Sequence, residues 1–435
     1  MLATDLLVAG RNLLQHTRRN LLLGGAIAAV AALLVLFLGL VAGIRGAMME
    51  SATTLMCGHV NVGGFFKITS GTSAPLVTDW PKVMEDVRRL VPELDYATIR
   101  GRGYVKAISD AESMDLVLSA IQIDKERRFR RVVELIEGKL DDLAQPNTIL
   151  LSDKQAERLK VKVGDALTLS APTARGVNNT VDVRVVGVMR SVGVLSSIFA
   201  FLPEESLRRL YQLNDRTTGA IHLYLANPDA APQVASRLLA DLRKAGYRVM
   251  DHDAQPYWMK LMMKVNSEDW TGQKLDVTTW QDEVSFLDAM LKIVSGLASI
   301  LVSVLLFIVV IGIMNTLWIA IRERTREIGT LRAIGMQRTK VAWLFLLEAG
   351  LLALGGATAG VLAGWGLSAL VNAADVKVNE GLQMLISQDH LQVVVRPGVL
   401  PLYVAGITLL TALGALLPAL RAARLRPVTA MHHIG

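Results

Sequence analysis

The sequence contains very little that would support catalysis. Its single cysteine, Cys57, cannot form an intramolecular disulfide. Its seven histidines show no metal-ligand spacing. No Gly-x-Ser-x-Gly nucleophile elbow and no Gly-x-x-x-x-Gly-Lys-Ser/Thr phosphate-binding loop occurs. We therefore expect no catalytic residue, no metal site and no cofactor bound by this chain, and we predict that it is not itself an ATPase.

What the sequence has in abundance is apolar surface. Of its 435 residues 52% are hydrophobic, and four long apolar segments predict an integral membrane protein. The net charge of +7 is concentrated in the first 20 residues, in residues 322–340 and in the tail after Leu420. The positive-inside rule places these three segments in the cytoplasm. The basic charge is therefore explained by topology, and we expect no nucleic-acid partner.

The predicted fold is an α-helical membrane protein with four transmembrane helices and a large mixed α/β extracytoplasmic domain between helices 1 and 2. The predicted order is a cytoplasmic amphipathic segment (1–20), transmembrane helix 1 (21–44), the extracytoplasmic domain (45–281), helix 2 (286–321), a cytoplasmic helix and loop (322–340), helix 3 (341–370), an extracytoplasmic loop (371–398), helix 4 (399–420) and a cytoplasmic tail (421–435).

Local patterns within the large domain predict short strands and helices. Two of the helices are Trp80–Leu90 and Asp153–Leu159. Asp79 and Ser152 are candidate N-caps of these two helices, and Asp229 is the candidate N-cap of a third predicted helix, residues 231–245. Four aromatic residues, Tyr257, Trp258, Trp270 and Trp280, precede the second span. We interpret them as an interfacial aromatic belt, the alternative being the lining of a route for an amphiphile.

Several residues within the spans have a predicted packing or polar role. Small residues spaced by four let another helix approach closely, and this spacing occurs at Gly39 and Gly43 and again at Gly356, Gly360 and Gly364. Glu348 lies in the first two turns of the third span. An acidic side chain there either pairs with a base, such as Arg338 or Lys340, or reaches the interface.

The charged segment 321–335 joins the second and third spans. Its pattern predicts a helix with Ile328, Leu331 and Ile334 on one side and with Gly335 as a left-handed C-cap. Two interpretations follow from the residues alone. The segment is either a solvated positive-inside loop or a helix on which a cytoplasmic partner docks.

This segment resembles a known motif. The run from Asn315 through Arg-Glu-Arg-Thr-Arg-Glu-Ile-Gly to Gly335, with Glu348 and the glycines after it, is similar to the permease signature of the FtsX/MacB/LolC-type ABC transporters. The resemblance implies a coupling helix that docks on a separate cytoplasmic ATPase, which would bind ATP and Mg. The ATPase-coupling residues would be Glu323, Arg324, Arg326, Glu327, Ile328, Gly329, Leu331, Arg332 and Gly335.

Pieces of the large domain resemble the MacB-like periplasmic domain in the same order, including Gly58-His59-Val60 and Phe201-Leu202-Pro203. Because no ATPase motif is present, the layout is closest to the LolC/LolE lipoprotein-releasing permeases. The loop at Thr173, Arg175, Val177 and Asn178 is either an ordinary hairpin or a contact for a periplasmic carrier.

The resemblance implies a bacterial inner-membrane permease that works with a second copy of itself or with a related permease, in contact with membrane lipids. It also implies mechanotransmission and release of an amphiphile such as a lipoprotein. The alternatives are MacB-like export of peptides, toxins or macrolides through an adaptor, and FtsX-like signalling to a cell-wall hydrolase.

Overall fold

The computed structural model describes residues 2–15, 17–69, 72–173, 176–191, 193–378, 383 and 390–424. The chain divides into two compact units. The membrane unit comprises Met1–Ile44, Leu291–Lys377 and His390–Gly435, and the globular unit comprises Arg45–Met290 and Val378–Asp389.

The described α-helices are α1 Leu2–Gln15, α2 Thr17–Leu55, α3 Trp80–Leu90, α4 Phe129–Val132, α5 Asp153–Leu159, α6 Gly193–Ile198, α7 Glu204–Tyr211, α8 Ala231–Lys244, α9 Tyr257–Met263, α10 Trp280–Glu283, α11 Ser285–Glu323, α12 Thr325–Ala333, α13 Arg338–Ala373 and α14 Leu400–Ala423. The described strands are β1 Val60–Thr69, β2 Thr72–Ala74, β3 Leu94–Ile108, β4 Ser113–Ile121, β5 Leu135–Gly138, β6 Thr148–Ser152, β7 Ala166–Pro172, β8 Asn178–Met189, β9 Phe199–Pro203, β10 Ala220–Leu225 and β11 Gly272–Thr279. Helices α2, α11, α13 and α14 contain segments long and apolar enough to cross a membrane.

The glycine ladder on α13 packs directly against the backbone of α2. A Cβ atom at Gly356 would lie 2.8 Å from the carbonyl oxygen of Gly24, and one at Gly360 would lie 2.2 Å from that of Ala28. At Gly364 the nearest atom is the carbonyl oxygen of Ala32, at 2.9 Å. Without side chains at these positions the two helices approach to backbone contact, which maximises van der Waals packing where water supplies no driving force.

Gly39 and Gly43 also admit a close neighbour, but that neighbour is not a helix. An extended segment, residues 391–395, runs beside them, and a Cβ at Gly43 would lie 2.0 Å from the carbonyl oxygen of Gln392. The Val394 amide donates to the Gly39 carbonyl oxygen at 2.9 Å. The prediction of a helix–helix contact at this pair is therefore wrong, because the groove receives extended backbone with its own hydrogen bond.

The first lobe of the globular unit is a four-stranded antiparallel sheet in the order β11-β1-β10-β3. The chain passes β1-α3-β3 and later β10-α8-β11, which is the ferredoxin-like split βαβ arrangement. Helices α3 and α8 supply apolar side chains such as Val83, Val87 and Leu238 to the core of this lobe. The period of 3.6 in both helices produces these buried stripes.

The second lobe is inserted between β3 and β10 and forms a closed barrel. Its strands follow the order β3-β4-β9-β6-β8-β7, and β7 pairs with both β8 and β3 to close the ring. The interior is aliphatic and includes Leu116, Ile149, Leu167 and Val185. The 15-residue strand β3 contributes its first half to the open sheet and its second half to the barrel, so it joins the two lobes.

Local signals gave the bounds of α3 and α5 correctly, but only one of three cap predictions is confirmed. Ser152 forms a capping box with Gln155. Asp79 adopts a left-handed conformation, makes no cap hydrogen bond and accepts instead from Arg216. Helix α8 begins after Ala230, which makes no side-chain cap bond, so Asp229 is not its N-cap.

The interpretation of the aromatic cluster as a belt is wrong for two of its members. Trp270 and Trp280 are buried in the globular unit. The Trp270 indole donates to Glu268 at 2.9 Å and packs in an apolar cluster with Phe65 and Met250. Only Trp258 of the three tryptophans has substantial exposure.

The contact between α13 and α2 can be tested with two matched glycine variants. We expect Gly360→Ala to destabilise the membrane unit by about 1–3 kcal/mol, because the new methyl group would overlap the Ala28 carbonyl. Gly366→Ala, on the same helix, meets no atom within 4 Å and should have little effect. Thermal unfolding of both variants in detergent tests this, and equal unfolding temperatures would contradict the packing.

Candidate functional site

The candidate coupling segment forms a helix separate from the second span. Helix α11 ends at Glu323, Arg324 leaves helical geometry at φ −100° and ψ 12°, and α12 begins at Thr325. The helix ends as the sequence predicts, because Gly335 has φ +103° and the Met336 amide donates to the Leu331 carbonyl at 3.0 Å. The result is a separate helix of nine residues that begins one residue after the end of α11.

The apolar residues of α12 do not share one environment. Ile328 and Gly329 are buried in the membrane unit. Leu331 is 42% exposed and Ile334 is 79% exposed, so the predicted apolar side is buried at Ile328 and exposed beyond it. Helix α12 thus packs through one turn and leaves two apolar side chains uncovered at its end.

Two contacts of arginine side chains hold α12 against its neighbours in the membrane unit. Arg324 lies 3.3 Å from Glu348 of α13, and both side chains are largely buried. Arg332 donates to the carbonyl oxygen of Ala423, the last residue of α14, at 3.1 Å. A cation is favoured at a helix C-terminus by its unpaired carbonyls and its dipole. The sequence suggested Arg338 or Lys340 for Glu348, and the structure shows Arg324 as one partner of this carboxylate.

A residue that sequence reasoning did not select joins this region from the N-terminal side. Arg19 of α2 lies 3.4 Å from Glu323. Beside this pair is a cavity of about 20 Å³ lined by Arg19, Asn20 and Glu348 among others, which is room for about one water molecule. The remaining predicted coupling residues, Arg326 and Glu327, are exposed.

The predicted carrier-contact loop is a hairpin between β7 and β8, paired up to Pro172 and Asn178. Thr173 is buried, and its amide donates to the Val177 carbonyl at 2.8 Å. The Val177 side chain is exposed at the tip. Arg175 lies outside the described residues. The hairpin is therefore observed, whereas its role stays a prediction.

A second polar site, also missed at the sequence level, lies inside the globular unit. Arg100 of β3 is fully buried and forms a bidentate ion pair with Glu126, at 2.7 and 2.8 Å. The same guanidinium donates to the carbonyl oxygen of Thr54, at the end of α2. The Tyr224 hydroxyl donates to the neighbouring Thr53 carbonyl at 3.0 Å. The side chains of Arg100 and Tyr224 thus fix the C-terminal end of α2 through its last carbonyl groups.

Arg102, on the same face of β3, contacts the helix that leads into α11. Its guanidinium lies 3.7 Å from Glu283 of α10 and 3.9 Å from the ring centroid of Tyr257. Burial raises the pKa of Glu283, with Arg102 acting against that rise. Residues two apart in a strand share a face, so β3 holds both helix ends through two adjacent arginines. We define Arg100 and Arg102 as the β3 arginine pair.

His59 completes the polar region around the end of α2. The Leu225 amide donates to its Nδ1 atom at 3.0 Å, and Arg128 NH1 lies 2.8 Å from its Nε2 atom. Burial, followed by the Arg128 charge, lowers the pKa of His59 from 6.5 to about 4. The imidazole is therefore neutral at pH 7 and serves as a structural hydrogen-bonding group.

Removing Arg100 tests the first of these contacts. We expect Arg100→Met to destabilise the globular unit by about 3–5 kcal/mol, because the buried Glu126 carboxylate would lose its partner. The double variant Arg100→Met/Glu126→Leu should recover much of that loss, and Arg89→Met, which breaks an exposed pair, should change stability by about 0–1 kcal/mol. Denaturant unfolding gives these values. A double variant no more stable than the single one would contradict the ion-pair account.

The depressed pKa of His59 predicts acid sensitivity. Unfolded histidine takes up a proton below about pH 6.5, whereas the folded residue resists protonation down to about pH 4. The stabilisation is thus complete above pH 6.5 and decreases as the pH falls. Between about pH 8 and about pH 5 we expect a loss of about 2 kcal/mol from this residue. Unfolding at both values should show a smaller pH dependence for His59→Gln; an unchanged dependence would exclude His59 as the source.

Comparison with known families agrees with this architecture. The model of the MacB-like periplasmic core domain matches residues 21–241, slightly more than half of the chain. The model of the FtsX-like permease C-terminal family matches residues 299–427. The first match covers α2 and both lobes up to α8, and the second covers α12 with the helices on either side.

Individual relatives are similar over much of the chain. The chain is 26% identical over 370 residues to the macrolide export ATP-binding/permease protein MacB of Chromobacterium violaceum, covering 81% of this chain and 50% of that protein. It is 25% identical to the lipoprotein-releasing system transmembrane protein LolC of Neisseria meningitidis serogroup B, covering 70% of each. The crystal structure of the periplasmic region of MacB from Actinobacillus actinomycetemcomitans aligns with a TM-score of 0.33 and 12% identity over 53% of this chain and 94% of that one. This chain spans about half the length of that MacB protein.

The model of the periplasmic core domain matches more than half of this chain, and the permease model matches a further segment. This chain therefore belongs to the FtsX/MacB/LolC-type family of ABC transporter permeases.

Proposed function

We propose that this chain is the permease subunit of an ABC system in a bacterial inner membrane, with both termini in the cytoplasm and the globular unit in the periplasm. A separate cytoplasmic ATPase would bind ATP and Mg and dock on α12. The chain would work with a second copy of itself or with a related permease. The observation that carries this proposal is the geometry of α12: one turn is buried, and Leu331 and Ile334 are exposed beyond it.

The contacts of α12 suit a helix that receives force. The Arg324–Glu348 pair and the Arg332 contact on α14 connect it to two transmembrane helices. A push on Ile334 would therefore be resisted by buried, charge-assisted contacts rather than absorbed by a loose loop. The exposed Arg326 and Glu327 would add charge complementarity at the rim of the same interface.

At the other end of the mechanism, the β3 arginine pair would receive the motion. Arg100 holds the end of α2, and Arg102 holds α10 immediately before α11. Displacement of either helix would thus act on β3, the strand shared by the open sheet and the barrel. The uncharged stretches 21–44 and 293–321 lack the polar lining of a hydrophilic pore, which favours transmission of motion over conduction.

For the cargo we propose an amphiphile such as a lipoprotein, released from the membrane to a periplasmic carrier that contacts the hairpin around Val177. The similarity to LolC, which covers 70% of both chains, supports this choice. Export of peptides, toxins or macrolides with an adaptor is the second candidate, supported by the similarity to MacB over 81% of this chain. FtsX-like signalling to a hydrolase is the third, supported by the match of residues 299–427.

The docking step is tested by placing a charge on the exposed end of α12. Ile334→Asp should weaken ATPase binding at least about tenfold, as truncation of an apolar hot spot does. Val376→Asp, an equally polar change at an exposed position in the loop after α13, is the matched control and should bind normally. Co-purification with titrated ATPase measures both, and normal binding by Ile334→Asp would overturn the assignment of α12.

The anchoring step is tested separately. Glu348→Gln removes the charge that pairs with Arg324 but leaves Leu331 and Ile334 untouched. We expect this variant to bind the ATPase normally and to lose most cargo-stimulated ATP hydrolysis and release of a lipoprotein from proteoliposomes. Stimulation equal to that of the unmodified chain would show that the ion pair does not transmit force.

A further inference from the structure

Helix α9 buries its one charged side chain and exposes several of its apolar side chains. Its one charged residue, Lys260, is buried, and its ammonium group lies 2.9 and 3.0 Å from the two carboxylate oxygens of Asp276, itself buried on β11. Its apolar residues Trp258, Met262 and Met263 are 39%, 73% and 72% exposed. We call these three side chains the α9 face. A surface helix in water normally shows the reverse arrangement.

The burial of Lys260 fixes this orientation. An ammonium and a carboxylate removed from water are retained only when they pair well, and the bidentate geometry here meets that condition. Turning the helix over to hide the methionines would leave Asp276 unpaired in the core. The α9 face is therefore held outward by the ion pair beneath it, and its exposure is a property of the folded unit.

The ring of Trp258 connects the α9 face to the first turn of α11, within the globular unit. It packs edge-to-face on Phe286 of α11, with ring centroids 6.3 Å apart. Along α11, Ile293, Leu297, Ile300 and Val304 follow Phe286 at spacings that return to the same side of a helix, and all four are exposed apolar residues.

About 10 Å of helix separates Phe286 from Ile293, where the uncharged stretch of the span begins. This length is comparable to the headgroup layer on one side of a bilayer, about 5–8 Å. Measured along the helix, Phe286 therefore precedes the uncharged stretch by about the thickness of the headgroup layer. Tryptophan is enriched there because its ring is amphipathic, and methionine adapts to irregular apolar surroundings.

We propose that the α9 face inserts into the lipid bilayer surface beside the start of span α11. Helix α9 would act as an interfacial support that holds the globular unit against the membrane, with its charged side turned into the protein and its apolar side into the lipid. This role is independent of the ATPase and of the cargo, so the proposed function and this inference stand or fall separately.

Spin labelling of the full chain in nanodiscs of phosphatidylethanolamine and phosphatidylglycerol tests the proposal. Cysteines introduced by Met262→Cys and Met263→Cys carry the label, and Ile68→Cys, an exposed apolar position on β1, is the matched control. Cys57 is fully buried, and labelling of the unmodified chain measures its background. The readout is the ratio of label accessibility to molecular oxygen, which concentrates in lipid, over that to a water-soluble nickel chelate.

We expect a ratio at residues 262 and 263 that is several-fold higher than at residue 68. A ratio equal to that of residue 68 would mean that the α9 face lies in water, and the proposal would be overturned. Labels protected from both reagents, or spin–spin broadening in fully labelled samples, would mean that a protein partner or a second copy covers the face instead, which also overturns it.

Discussion

The membrane unit depends on the requirement that a charge near the apolar region must have a partner. Glu348 lies in α13, where an unpaired carboxylate is costly, and Arg324 reaches it from the junction between α11 and α12. The position of this pair accounts for the shape of the segment: the helix of the span ends before Arg324, and the next helix begins after it. The ion pair therefore connects the junction between α11 and α12 to α13.

A similar constraint organises the globular unit. Two arginines on one face of β3 are buried, and each needs an acid and a helix end to satisfy it. Because β3 belongs to both the open sheet and the barrel, the partners of the β3 arginine pair fix both lobes relative to the ends of α2 and α10. Packing disfavours a side chain between the arginines, since a Cβ at Gly101 would lie 2.8 Å from the Cβ of Ala120 as well as 2.3 Å from the side chain of Leu207.

The sequence was informative wherever the determining contacts are local. The amphipathic period and the Ser152 capping box gave α5, and the left-handed Gly335 gave the end of α12. The four apolar segments correspond to the four candidate spans. The spacing of Gly356, Gly360 and Gly364 indicated a close contact, although only the structure identifies α2 as the neighbour.

Contacts between distant parts of the chain were not predictable in this way. The closure of the barrel by β7, the partner of Glu348 and the burial of Trp270 and Trp280 each depend on segments that meet only in the folded protein. Arg100 and Arg102 alternate within β3, each beside a glycine, but the acids that pair with them lie in distant parts of the sequence. Helix α9 is the clearest example. Its sequence contains one lysine among apolar residues, and this pattern alone does not predict that the lysine is buried.

These constraints bear on how a family of permeases could diversify its cargo. The contacts that would transmit force, on α12 and on β3, are buried ion pairs whose geometry tolerates little change. In the hairpin between β7 and β8 the Val177 side chain is exposed, and Thr173 makes hydrogen bonds within the turn. Substitutions there would alter a partner surface without disturbing the core of the barrel, since surface positions away from caps and buried pairs usually change stability little. Buried ion pairs near α12 and on β3, combined with an exposed hairpin tip, would under the proposed function let one scaffold present different surfaces to different partners.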